Sequence, residues 1–264
     1  FDSGFMLGDG VWEGMRVHQG KLGFLDRHLD RLFEGAKALA MDIGLSREEL
    51  TRRLYETLDA NGMSEGVHVR LMVTRGVRST PYQDPRVVVG GATIVIIPEY
   101  KQPPEGVHER GLKLFTVHVR RGDPAVQDQK INSHSKLNCI LASIQATQAG
   151  AEEALMLDPH GFVATCNSTH FFIVRKGEVW TSSGKYCLGG ITRANVVELC
   201  LLPRVRDVRR MGACALDLCH LAEGLADGYV EAGPQRWDWA AGGLVVTEAG
   251  VVPQSVIGRG GETD

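Results

Sequence analysis

The chain has 264 residues, 43% hydrophobic and 23% charged, with a formal net charge of -3, a profile with room for one large globular core or two medium ones. That slightly acidic balance gives no electrostatic basis for binding nucleic acid or an anionic membrane, and no apolar run reaches bilayer length or reads as a signal peptide. Six cysteines, Cys139, Cys166, Cys187, Cys200, Cys214 and Cys219, sit in apolar surroundings without paired spacing; they read as reduced thiols of a cytoplasmic protein, not as a disulfide or zinc framework.

The chain opens at Phe1 on "FDSGFMLGDGVWEG", which reads as a segment of a longer protein whose preceding strand is missing. "GVWEGMRVHQGKLGFL" alternates apolar and polar residues around Gly20 and predicts a hairpin. Leu25, Leu29, Leu32, Phe33, Ala36, Leu39 and Ala40 recur at helical spacing, predicting an amphipathic helix over about Asp26 to Met41. "LSREELTRRLYETLDANG" predicts a second helix, with Ser46 as N-cap, Glu49 completing a capping box, and a stop near Gly62. "VHVRLMVTRG" and "ATIVIIPEY" read as strands, the second as a buried one. These elements make an α+β unit, residues 1–103, ending at the Pro-rich "KQPPEG".

A second unit, residues 104–200, opens with the strand "LKLFTVHVR". Leu137, Ile140, Leu141, Ile144 and Ala149 then follow helical spacing. "EALMLDPHGFVATCNSTHFFIVRKGEVWTS" reads as short strands joined by turns at Pro159-His160-Gly161 and Lys176-Gly177. "GGITRANVVELC" places Gly189, Gly190, Ile191 and Thr192 at a helix N-terminus, where free N–H groups and the helix dipole can cradle a phosphate; by itself the same pattern also fits an ordinary turn with Thr192 as N-cap. From residue 201 the texture changes, with Pro203 and an arginine cluster at the seam.

In this order and spacing, "FDSGFMLGDGVWEGMRV", "LDRHLDRL", "RLMVTRG", the "EALML…VWTS" segment and "GGITR" resemble the class IV aminotransferases, the fold-type IV pyridoxal-phosphate enzymes, over roughly residues 1–200. The resemblance implies a small α/β domain, a larger mixed domain and a homodimer. It also implies amino-group transfer between a small amino acid, branched-chain or D-, and a 2-oxo acid. Arg31 matches the family arginine on the cofactor phosphate, and Ile191 and Thr192 match the backbone amides that complete the phosphate cup. The family pattern Lys-Ser-x-Asn-Tyr-Leu-x-Asn-Ile-Leu-Ala, laid without gaps over residues 132–142, agrees at Ser133, Leu137, Ile140, Leu141 and Ala142. It puts Asn132 at the lysine, however, and the glutamate expected to face the pyridine nitrogen is Thr165. Pyridoxal-phosphate chemistry needs a reactive amine and uses that acid to keep the ring protonated.

Two lysines flank the altered position. Lys136, four residues on, shares a face with Asn132 if the helix has begun there, and is the catalytic candidate. Lys130, two residues back, shares a strand face with Asn132. The alternative is that neither is catalytic and the chain is an inactive relative with a structural or dimerising role. His134 reads as a hydrogen-bonded structural histidine before an acid–base group.

The tail, "RRMGACALDLC", "ADGYVEAG" and "WDWAAGGLVVTEAG", resembles the C-terminal half of the inositol monophosphatase family over about residues 201–250. There the motif aspartate binds a catalytic Mg²⁺, so Asp238 is the matching ligand, and Glu231 matches a substrate-hydroxyl contact. The remaining metal carboxylates of that family come from a half that is not in this sequence, and one carboxylate cannot hold the ions that phosphate hydrolysis requires. Asp238 therefore reads as a vestigial ligand or a helix N-cap, and a Mg-dependent inositol-phosphate phosphatase is the third reading. Residues 201–264 form a separate segment, and the whole reads as two partial folds joined near Cys200.

Overall fold

The computed structural model describes residues 1–102, 105–201 and 249. Two compact units are present among the described residues: 1–170 with 186–191, and 171–185 with 192–201.

In the first unit a short helix α1 (Ser3–Leu7) is capped by the Asp2 carboxylate, which accepts the Gly4 and Phe5 amides. Strand β1 (Gly10–His18) and β2 (Lys21–Leu22) form the expected hairpin. Its turn residues Gln19 and Gly20 both take positive φ, at 49° and 72°, as a two-residue hairpin turn demands. Helices α2 (Leu25–Ala38) and α3 (Arg47–Ala60) follow. The Ser46 hydroxyl accepts the Glu49 amide at 3.2 Å. The other half of the expected capping box does not form, because the Glu49 carboxylate turns to Arg52 and Arg53.

Strands β3 (Val67–Thr74) and β4 (Thr93–Tyr100) complete an antiparallel sheet of order β2-β1-β3-β4. Val67, Val69, Leu71 and Val73 of β3 and Val11, Met15 and Val17 of β1 send alternate side chains to one face, against Leu29, Leu32, Leu50, Leu54 and Leu58 of the helices. This period-2 stripe meeting a period-3.6 stripe is the core of the α+β half. Strand β4, expected to be buried, is the half-exposed edge of the sheet, with Val95 and Ile97 41% and 45% exposed. Pro98, which has no N–H to donate, is tolerated in an edge strand.

Beyond α4 (Val107–Arg110), strand β5 (Leu114–Thr116) runs parallel to β6 (Glu153–Leu157), with helix α5 (Leu137–Gln148) between them in the chain; β7 (Val163–Cys166) adds antiparallel to β6. Ala142 and Ala146 are the buried face of α5. Leu137, Ile140, Leu141 and Ile144, which share the helical spacing, are 45–64% exposed.

In the second unit, β8 (Phe172–Arg175) and β9 (Glu178–Thr181) form a hairpin around Lys176 and Gly177. Helix α6 (Ile191–Leu201) begins one residue before Thr192, which is therefore helical and not the N-cap. Cys166 and Cys187 are buried, Cys139 is half-buried and Cys200 is exposed, contrary to its expected core-like setting; Cys214 and Cys219 lie outside the described residues.

Leu54 is fully buried between the helices and the sheet. Leu54→Ala is expected to lower unfolding free energy by about 2–5 kcal/mol, read from urea titration of the purified chain.

Candidate active site

The site is built outward from Glu13. Alternation in β1 puts Glu13 on the core-facing side, where it is wholly buried beside Val11 and Met15. A carboxylate there must be compensated, and α2 supplies two donors three residues apart on one helical face. His28 Nδ1 lies 2.6 Å from one Glu13 oxygen. Arg31 grips the carboxylate with two bonds, Nε to Oε1 at 2.8 Å and Nη2 to Oε2 at 2.6 Å. Burial pushes the Glu13 pKa up, but the bonds from His28 and Arg31 outweigh it and hold the group below its ordinary value of 4.5.

The third Arg31 nitrogen, Nη1, donates to the Gly189 carbonyl at 2.8 Å. Glu13 thus aims Arg31 at the Gly189-Gly190 turn, which leads into the 11-residue helix α6. A side chain at Gly190 would place its Cβ 2.0 Å from His170 Nε2, so the His170 ring or the turn would have to shift. Ile191 is buried, and Thr192 begins the part of the chain assigned to the second unit.

The lysine segment is stitched to the free edge of β1. β3 covers one edge of that strand; on the other, β2 takes Val17 and His18, while Ser133 bridges Val11. Trp12 N–H donates to the Asn132 carbonyl at 2.9 Å and His134 N–H to the Gly10 carbonyl at 2.9 Å. His134 Nε2 also lies 3.1 Å from the Val11 carbonyl; burial lowers the pKa of this ring, consistent with a neutral imidazole donating that bond.

Asn132 is buried and bonds at both ends. Its amide N–H₂ donates to the Trp12 carbonyl at 2.6 Å, and its oxygen accepts Lys136 Nζ at 3.1 Å. Lys136 is the residue just before α5, not inside it, yet it reaches back to Asn132 as the four-residue spacing suggested. Its Nζ lies 5.3 Å from the Trp12 ring centroid. Burial is the main cause that lowers the Lys136 pKa, and the positive charges of Arg121 and Arg31 act in the same direction. A desolvated amine among cations is the environment that frees a lysine nucleophile. Lys130 lies in a turn, not on a strand face shared with Asn132; its side chain makes no hydrogen bond or ion pair among the described residues.

Thr165, on β7, is buried and donates its hydroxyl to the Thr169 carbonyl at 2.9 Å. Nearby, Glu153 Oε1 accepts the amides and hydroxyls of Ser168 and Thr169. Asp238 and Glu231 lie outside the described residues, and among the described residues no group of three or more His, Cys, Asp or Glu could hold a metal ion.

Glu13, His28 and Arg121 were not singled out by sequence reasoning. The only available signal for Glu13 was a charge at the inward phase of an otherwise apolar alternation.

The arrangement defines a class. The amino-transferase class IV family model matches residues 10–208, and the chain belongs to that family. An inositol monophosphatase family model matches residues 165–261, overlapping the first and covering the tail. The chain is 45% identical over 199 residues to branched-chain-amino-acid aminotransferase-like protein 1 of Arabidopsis thaliana, covering 75% of this chain and 36% of that one. It is 40% identical over 200 residues to a putative branched-chain-amino-acid aminotransferase of Methanocaldococcus jannaschii, covering 75% and 68%. The chain therefore spans only about a third of the length of the Arabidopsis relative.

Solved structures agree on a fold-type IV architecture. The branched-chain aminotransferase of Thermoproteus uzoniensis with norvaline matches with a TM-score of 0.67 at 28% identity, covering 75% of this chain and 67% of that one. A T.th. branched-chain amino acid aminotransferase complexed with N-(5'-phosphopyridoxyl)-L-glutamate matches with a TM-score of 0.69 at 26% identity, covering 79% and 68%.

Because the Glu13 pKa is lower in the folded chain than its ordinary 4.5, the stabilisation from its ion pair is fully present above that pH and is lost as pH falls through the folded value. Glu13→Gln, which strands the Arg31 charge, is expected to cost about 3 kcal/mol at neutral pH. The gap from wild type should narrow in acid, as measured by thermal melting across a pH series.

Proposed function

We propose that the chain is a pyridoxal-phosphate-dependent amino-group transferase acting on a small branched-chain or D-amino acid and a 2-oxo acid. The observation that carries this reading is Lys136, a buried amine hydrogen-bonded to Asn132 and within electrostatic reach of Arg31, Arg121 and Glu13. The residues fit the cofactor at two of three points. Arg31, bonded to the Gly189 carbonyl at the glycine turn, offers a cation for the phosphate, and Lys136 offers the amine. At the third, Thr165 offers a hydroxyl where the family places a carboxylate.

Pyridoxal phosphate, when bound, supplies an electron-withdrawing ring that weakens the Cα–H bond of a substrate held through its nitrogen. In this reading Arg31 and Ile191 hold the phosphate and Trp12 shields the Lys136 amine from water. Lys136, neutral at lower pH than an exposed lysine, accepts and returns the proton at its Nζ. Thr165 cannot hold a proton on the ring nitrogen as a carboxylate does, so slow transfer is part of the proposal. Membership of the class IV family supports a homodimer as part of the same reading, and the cysteines read as reduced thiols support a cytoplasmic setting.

A specific observation favours one competitor, an inactive relative. Asn132 stands at the family lysine position and is fully engaged by Trp12 and Lys136. Borohydride reduction after incubation with pyridoxal phosphate, followed by peptide mapping, separates the two. Label on Lys136 is the expected result and should vanish in Lys136→Met. Label on Lys130 would keep the reaction class and move the amine, and no label on any lysine would overturn the proposal.

A further inference from the structure

Arg31 and Arg78 each meet a carboxylate, Glu13 and Asp9. Arg121, only 6% exposed, meets none among the described residues. Its contacts are neutral: Nε donates to the Tyr186 carbonyl at 3.2 Å, and Nη1 lies 3.0 Å from Cys139 Sγ and 3.5 Å from Asn138 Oδ1. A buried guanidinium in that state is costly until an anion completes it. Cys139 follows Lys136 by three residues, close to one helical turn, so the cation is anchored beside the amine. Glu13 is not available as the missing anion, because His28 and Arg31 occupy both of its oxygens.

We propose that carbon dioxide adds to Lys136 Nζ and that the resulting carbamate is the anion that completes Arg121. The step needs no further reactant. The nitrogen lone pair forms the bond to carbon, one C=O electron pair moves onto oxygen, and one amine proton leaves to solvent. Only an unprotonated amine reacts in this way, and burial, with the charges of Arg121 and Arg31, favours that form of Lys136. Lys136 is only partly buried, so a molecule as small as CO₂ can reach its nitrogen. The carbamate nitrogen keeps one hydrogen, enough for the 3.1 Å bond to Asn132 Oδ1. Its two oxygens share the negative charge in a plane that matches a guanidinium edge. Arg31 cannot take that part, being committed to Glu13 and Gly189. The inference needs only the amine and the unpaired cation. It is independent of the amino-transfer reading, and a carbamate at Lys136 would hold that nitrogen against an aldehyde.

The test holds the full chain in isotopically labelled bicarbonate, follows carbamate carbon by NMR, and traps it with a trialkyloxonium salt before peptide mapping. A trapped alkoxycarbonyl group on Lys136 is the expected result, and it should vanish in Lys136→Met. Arg121→Gln should weaken CO₂ uptake at that lysine by about tenfold or more, and Arg121→Lys, which keeps the charge but loses the planar edge, by less. Arg121→Lys also serves if the glutamine variant does not fold. No trapped group on Lys136 at saturating bicarbonate overturns the proposal, as does one confined to the Phe1 amine or to other lysines. So does equal uptake at Lys136 by wild type and the Arg121 variants. The borohydride experiment is read separately. A Lys136 label without carbamate overturns this proposal alone, whereas carbamate without any label overturns the amino-transfer reading and leaves this one standing.

Discussion

One buried carboxylate organises the site. Glu13 is placed in the core by the alternation of β1, and its charge has to be met there; His28 and Arg31, one turn apart on α2, meet it. The same bonds that compensate Glu13 also fix the pitch of α2 against the sheet and point Arg31 across to Gly189. Packing alone would let α2 slide along an apolar surface, whereas a two-pronged guanidinium grip admits one register. The candidate phosphate-binding group is thus as rigid as the core it grows from.

The amine is held by a different device. Residues 132–134 finish the edge of β1 that β2 leaves open, and Asn132 then spends both ends of its side chain, one on Trp12 and one on Lys136. Asn132 is the bracket that holds Lys136 in place, within reach of Trp12, Arg31 and Arg121.

Much of the α+β half was legible in the sequence, because its signals were local. The hairpin at Gly20, the Ser46 cap and the helical stripes of α2 and α3 each follow from a few neighbouring residues. What failed depended on distant partners. "ATIVIIPEY" is apolar enough for a central strand, but nothing pairs beyond it in the sheet, so it is an edge. The helix of Leu137 and Ile140 was legible, whereas its buried side falls on Ala142 and Ala146, which spacing alone does not reveal. Arg31 and Asn132 could be picked out by the family pattern, and Lys136 by its four-residue spacing from Asn132. Glu13 and Arg121 could not, since their importance lies in whether a charge finds a partner once the chain is folded. The assignments at Asp238 and Glu231 fall outside the described residues.

The edge pairing of residues 132–134 with Gly10–Trp12 also has a bearing on how the chain assembles. The bonds join segments some 120 residues apart, so closing them costs loop entropy that local helices and hairpins never face. The β1–β3 sheet can form from the first hundred residues, but Lys136 is positioned only after the chain has returned to that sheet. The setting of this amine thus depends on long-range closure, on a strand edge that stays open until residues 132–134 fill it.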